Sequence, residues 1–243
     1  MSKIGIISGG GRLPILIGKN LINSGKEVVF FCIEPYVKKT SYKNLNKVFI
    51  KLEHISKIIN LLKSYNIKNI LMAGRVKRPS LMDINFDIKT IKFFKEYTLQ
   101  PKGDDKLLLT IVKFLEKEGF KFINWKKNCN ELFVHKDNLT KKKPSKISLD
   151  NLNKGLEIFK KIGKIDLCQS MIIQNSMILG IEAAEGTDEL IRRCNKYKKR
   201  GDRGVLLKLS KYKQDTRFDL PVIGINTLKL LKKYNYEGIF IDK

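Results

Sequence analysis

The opening of the chain constrains its fold most. Residues 3–8, KIGIIS, form a short β-branched run that ends in Gly9-Gly10-Gly11 and passes directly into a helical pattern over residues 13–23. A strand leading through a glycine turn into a helix is the first half of a βαβ unit, whose strands run parallel and are covered on both faces. The alternation continues. Apolar runs at residues 28–33, 48–50 and 70–73 read as strands, residues 55–65 repeat apolar positions at helical spacing, and Gly25 supplies a helix stop. Residues 87–97 and 105–118 read as further helices and residues 120–123 as a fifth strand. The first half is expected to be a Rossmann-like parallel sheet with helical crossovers.

From residue 136 to 148 the chain turns polar and basic, with Lys141-Lys142-Lys143-Pro144 at its centre. That composition marks a linker. With 243 residues there is room for two α/β domains, expected at residues 1–135 and 149–243 on either side of it. In the second, residues 149–162, 187–197 and 226–234 read as helices. Residues 170–173, 177–182, 204–209 and 238–241 read as strands, with Gln174-Asn175-Ser176 as a turn.

The net charge of +25 raises nucleic acid as a partner, but only 8 of the 49 basic residues are Arg. Readers of phosphate and base edges rely on the Arg fork, and the lysines are spread over both halves, so no nucleic-acid partner is expected. Attraction to anionic lipid or anionic metabolites fits this charge better. No apolar run reaches the roughly 20 residues of a membrane span, and the glycine triplet and Pro14 interrupt what would be a signal-peptide core. A cytosolic protein is the expectation. The four cysteines, at positions 32, 129, 168 and 194, form no CxxC pair, and His54 and His135 are too few for a histidine metal site or triad.

Four segments can carry chemistry. Gly9-Gly10-Gly11-Arg12-Leu13-Pro14 lies where backbone amides at a helix start would seat phosphate. Read as G-x-G-x-x-G it fails at Pro14, but Glu34 stands nearly where a ribose-binding acid belongs, which keeps an NAD-type oxidoreductase as the alternative. Gly74-Arg75-Val76-Lys77-Arg78-Pro79 ends the fourth strand as either an anion site or a solvated basic loop. Glu182-Ala183-Ala184-Glu185-Gly186-Thr187-Asp188-Glu189 follows a strand and opens a helix, either as a site or simply as an N-capped helix start. In Gln214-Asp215-Thr216-Arg217-Phe218-Asp219, two carboxylates in a non-helical stretch suit Mg²⁺ or Mn²⁺, and Arg217 would clamp a phosphoryl oxygen or pair with either acid.

Together, GIISGGGRLP (5–14), GRVKRP (74–79), GDDKLL (103–108), GKIDLCQS (163–170), IEAAEGTDELIRR (181–193) and QDTRFDLPVIG (214–224) resemble the UDP-2,3-diacylglucosamine pyrophosphatases of the LpxI type. The resemblance implies a metal-dependent hydrolase of lipid A biosynthesis that cleaves UDP-2,3-diacylglucosamine to UMP and 2,3-diacylglucosamine 1-phosphate (lipid X), with water attacking the β-phosphorus. It implies two α/β domains with the substrate held between them, and Mg²⁺ or Mn²⁺ as cofactor. It also implies Asp215 and Asp219 as catalytic and metal-binding residues and Asp188 as a third catalytic candidate. Gly10, Gly11, Leu13, Gly74, Arg75, Gln169, Thr187 and Arg217 are the implied substrate-binding positions. A lipid substrate implies a peripheral location on the cytoplasmic face of the inner membrane, with a homodimer as the oligomeric option.

Overall fold

The structure is a computed structural model that describes residues 3–52, 54–76, 91, 104–126, 129–134, 138–162, 168–210 and 221–242, the side chains of 104–107 excepted. The helix expected over residues 87–97 lies outside the described residues apart from residue 91. Two compact units divide the chain, the first running to Leu132 and the second starting at Phe133.

In the first unit the elements follow as β1 (Ile4–Ser8), α1 (Leu13–Asn23), β2 (Val28–Glu34), β3 (Lys47–Lys51), α2 (Ile55–Ser64), β4 (Asn69–Ala73), α3 (Asp104–Lys117) and β5 (Lys121–Phe122). The strands lie in the order β3-β2-β1-β4-β5, every pairing parallel. Because β1 and most of β2 are buried on both faces, they read as unbroken apolar runs. Phe31, Ile33, Ile50 and Ile70 pack with Ile59 and Leu62 of α2 and Val112 and Leu115 of α3. On the other face α1 sits directly on the sheet: a Cβ at Gly18 would fall 2.1 Å from the Phe30 ring. Helix α1 enters with Pro14 in its first turn and stops where Gly25, at φ +75°, donates to the Ile22 carbonyl at 2.9 Å. Strand β1 is flanked by β2 and β4, so its carboxyl end is the point where the winding reverses, the usual position of a ligand crevice.

The second unit runs α4 (Lys146–Ile162), β6 (Ser170–Gln174), β7 (Met177–Ile181), α5 (Thr187–Asn195), β8 (Val205–Lys208), α6 (Ile225–Lys233) and β9 (Gly238–Ile241). Helix α4 starts three residues before the expected position 149, because the Ser145 hydroxyl accepts the Ser148 amide at 3.2 Å and caps the turn. The sheet, in the order β7-β6-β8-β9, is mixed: β6 is antiparallel to both neighbours, while β8 and β9 are parallel. Asn175 and Ser176, at φ 50° and 58°, make the tight β6–β7 hairpin. One face (Met171, Ile173, Val205, Leu207) packs on α4, where Gly155 leaves room for Leu207. The other face (Ile172, Leu206) packs with Leu190 and Ile191 of α5 and Leu231 of α6.

Candidate functional site

In the first unit the two glycine-rich loops are joined. Gly9 donates its amide to the Ala73 carbonyl at 2.8 Å, and Gly10 and Arg75 exchange hydrogen bonds at 2.7 and 2.8 Å. The close approach explains the glycines. Gly74 has φ +94°, and a Cβ on it would lie 2.7 Å from the Gly9 carbonyl carbon; a Cβ on Gly10 would lie 2.9 Å from the Tyr36 oxygen. The expected phosphate cradle is therefore narrower than the sequence suggests, since the amides of Gly9, Gly10 and Arg75 are already committed. Gly11, at φ +97°, and the amides of Arg12 and Leu13 at the start of α1 are its remaining donors among the described residues. Gly10, Gly11, Leu13, Gly74 and Arg75 thus come together at the end of β1, while Lys77, Arg78 and Pro79 lie outside the described residues.

Glu34, the acid the dinucleotide alternative requires, is ion-paired with Lys39 at 2.6 Å. A recess of about 580 Å³ lies against α2 between His54, Lys57 and Ser64 and contains no residue of the glycine loops. A smaller one of about 240 Å³ reaches Glu34, Lys51 and His54. Both are on the α2 side of the sheet.

The second unit gathers them. Antiparallel register places the start of β6 and the ends of β7 and β8 at one sheet edge: Ser170 pairs with Lys208, and the Glu182 amide donates to the Ser170 carbonyl at 2.9 Å. The carbonyl of Gln169 accepts the Leu209 amide at 2.9 Å and extends the same ladder. Along β8 the side chains alternate, so Lys208 points to the same face as Leu206, towards α5. It is only 6% exposed. Its ammonium donates to Thr187 Oγ1 at 2.8 Å and to Ser170 Oγ at 3.0 Å, and lies 3.6 Å from Glu182 Oε2. Thr187 in turn donates to Glu182 Oε1 at 2.9 Å. At 3.6 Å the ion pair is too long for a hydrogen bond, which leaves Glu182 Oε2 buried without one among the described residues.

The start of α5 carries no side-chain cap. Its N-cap is Gly186, and the Thr187 hydroxyl faces Glu182 and Lys208. Asp188 does not cap the helix either; its Oδ1 accepts the Thr227 hydroxyl at 2.6 Å across to α6. Glu185 pairs with Arg193 at 2.6 Å. Asp215, Arg217 and Asp219 lie outside the described residues.

Lys208 and Ser170 are the residues that sequence reasoning missed. Lysine is too frequent in this chain for one to stand out, and the only available signal was an apolar strand, Val205-Leu206-Leu207, ending in a charge on its inward face. No group of three His, Cys, Asp or Glu suited to a metal ion occurs among the described residues. All four cysteines are buried, and burial pushes the Cys32 thiol up to about 12, so the site presents no thiolate nucleophile there.

Comparison with known proteins agrees with this division. The LpxI N-terminal domain matches residues 3–132 and the LpxI C-terminal domain residues 135–243. UDP-2,3-diacylglucosamine pyrophosphatase LpxI of Caulobacter vibrioides is 28% identical over 246 residues, spanning 98% of this chain and 88% of the relative. Neither finding carries the dinucleotide alternative.

Proposed function

The chain belongs to the LpxI family, and from that premise we propose that it hydrolyses UDP-2,3-diacylglucosamine in lipid A biosynthesis, releasing UMP and 2,3-diacylglucosamine 1-phosphate. The observation that carries the reading is the gathering of the EAAEGTDE motif at one sheet edge, where Glu182 and Thr187 join Lys208 and Ser170 and Asp188 is held by Thr227. These are polar groups placed for charge, and the Thr187 hydroxyl proton is committed to Glu182. That suits phosphoanhydride hydrolysis, whose barrier is lowered by positioning water and stabilising charge.

In the proposed step a water oxygen bonds to the β-phosphorus as the bond from that phosphorus to the bridging oxygen breaks. UMP departs with the bridging oxygen and the sugar phosphate keeps the oxygen from water. Asp215 and Asp219 are the proposed residues that orient water, with Asp188 as the third. Thr227 leaves Asp188 Oδ2 available, because only Oδ1 accepts its hydroxyl. Gly11, Leu13, Arg75, Gln169, Thr187 and Arg217 are the proposed substrate contacts. Gly10 and Gly74 serve by the close approach of their backbones, since the Gly10 amide is given to Arg75.

The described carboxylates do not by themselves make a divalent-ion site: Glu182 is held by Lys208 and Thr187, and Glu185 by Arg193. Mg²⁺ or Mn²⁺ held by Asp215 and Asp219 is proposed on the strength of the family resemblance.

Location on the cytoplasmic face of the inner membrane is proposed from the substrate's acyl chains and from α6. Ile225 and Leu228 are exposed there, with Val222 just before the helix, beside exposed Lys229, Lys232 and Lys233, a pairing of apolar and basic groups suited to an anionic lipid surface. No helix among the described residues is long and apolar enough to cross a membrane. A homodimer is the proposed assembly, read out by light scattering. Conversion of UDP-2,3-diacylglucosamine by the purified protein, followed by ³¹P NMR, tests the activity.

A further inference from the structure

We propose that Lys208 is a positioning residue for this hydrolysis: its buried ammonium, neutralised by Glu182, locks the hydroxyls of Ser170 and Thr187 and so fixes the first turn of α5, which carries Asp188, against the end of β8. The proposal rests on the activity proposed above. It begins from the cost of the arrangement. Desolvating an ammonium and a carboxylate is unfavourable, and a strand end that needed only filling would take an aliphatic residue, as the three preceding positions of β8 do with Val205, Leu206 and Leu207. Lys208 is nevertheless as buried as its apolar neighbour Leu209.

Counting protons shows what the ammonium achieves. Thr187 has a single hydroxyl proton, which goes to Glu182 Oε1 at 2.9 Å, so towards Lys208, at 2.8 Å, it accepts. Ser170 also accepts from Lys208, at 3.0 Å, and its own proton is directed at Thr187 Oγ1, 3.3 Å away. Each hydroxyl is thereby held in one rotamer and one proton orientation by a charge-assisted bond, the stronger class of hydrogen bond. Thr187 is the first residue of α5 and Asp188 the second, so a locked Thr187 fixes where Asp188 emerges. Lys208 is also the last residue of β8, from which the chain continues towards Asp215 and Asp219. One side chain thereby ties the start of α5 to the end of β8.

The test compares Lys208→Met, Glu182→Gln, the double variant and Ser170→Ala, using kcat and KM for UDP-2,3-diacylglucosamine, Tm, and amide hydrogen exchange at Leu190, whose N–H bonds Gly186 at 3.0 Å in the first turn. Lys208→Met and Glu182→Gln each remove one half of this ion pair and lower Tm, and the double variant lowers it by less than the two single effects added. Kinetics separate positioning from mere stability. The double variant is expected to keep kcat down by the order of 10²-fold with KM little changed, as misplacement by about 1 Å does. Leu190 is expected to exchange faster in it. Ser170→Ala, which leaves both charges in place and should lower Tm less than either charge-removing variant, is expected to lower kcat several-fold and to speed the same exchange. Wild-type kcat and unchanged exchange in the double variant and in Ser170→Ala would overturn the proposal. A wild-type protein that does not hydrolyse the substrate would overturn the activity instead, and the exchange measurement would still report on the anchoring.

Discussion

Thr227 of α6 donates its hydroxyl to Asp188 Oδ1 of α5 at 2.6 Å. The bond joins two helices that pack on the same face of the sheet and leaves one carboxylate oxygen of Asp188 available for other partners. Valine at position 227 keeps the shape and removes the donor. A hydrogen bond to a charged group contributes about 1.5–3 kcal/mol, so Thr227→Val is expected to lower kcat by about 10-fold or more with a modest change in KM, and Thr227→Ser to retain most of it. Equal kinetics in the Val and Ser variants would remove this hydroxyl from the catalytic account.

Most individual elements are legible in the sequence because their boundaries have local physical causes. Helix α1 runs over the expected residues, opened by Pro14 and closed by Gly25, and β9 likewise occupies its expected positions. The antiparallel placement of β6 against β8 is not legible, because Ser170–Gln174 and Val205–Lys208 are short apolar runs with no mark of direction. The bridge between Gly10 and Arg75 depends on β4 returning beside β1 over more than 60 residues, so glycines that suggest a phosphate loop also serve as a backbone contact. Lys208 becomes visible only once β6, β7 and β8 are laid side by side and Glu182 and Thr187 fall next to it.

Asp215 and Asp219 carry the proposed water-orienting role, so Asp215→Ala and Asp219→Ala should each reduce kcat by the order of 10²–10⁴ while substrate binding, measured by calorimetry, persists. Chelation with EDTA should abolish turnover, and Mg²⁺ or Mn²⁺ should restore it. Full turnover in a metal-free preparation would rule out the metal, and near-wild-type kcat in both variants would remove the two aspartates from the site.

Glu185 gives a pH dependence whose sign is fixed. Its own backbone amide and the Arg193 guanidinium, 2.6 Å away, favour the carboxylate and hold its pKa below the ordinary glutamate value. A depressed carboxylate pKa adds stability that is present above the ordinary value and is lost as pH falls through the folded one. The pair is partly exposed, so it contributes about 1 kcal/mol or less. Glu185→Gln should therefore melt slightly below wild type at pH 7, with the gap closing below about pH 4. A gap that stays constant down to pH 3 would contradict the assignment.

Helix α6 should bind anionic vesicles. Lysine near such a surface contributes about 1 kcal/mol, so replacing Lys229 and Lys232 together by Gln should weaken cosedimentation with phosphatidylglycerol vesicles by about 30-fold. Leu228→Glu, which puts a charge among the exposed apolar groups, should weaken it further. Equal sedimentation of all three proteins would place the membrane contact elsewhere.

In the proposed reaction water attacks the β-phosphorus of UDP-2,3-diacylglucosamine and splits its pyrophosphate. Incubation of the purified protein with that substrate in ¹⁸O-labelled water, read by ³¹P NMR and mass spectrometry, tests it directly. The account predicts UMP without label and 2,3-diacylglucosamine 1-phosphate carrying one ¹⁸O. Label in UMP would contradict the direction of attack, and unchanged substrate in the presence of Mg²⁺ or Mn²⁺ would contradict the activity itself.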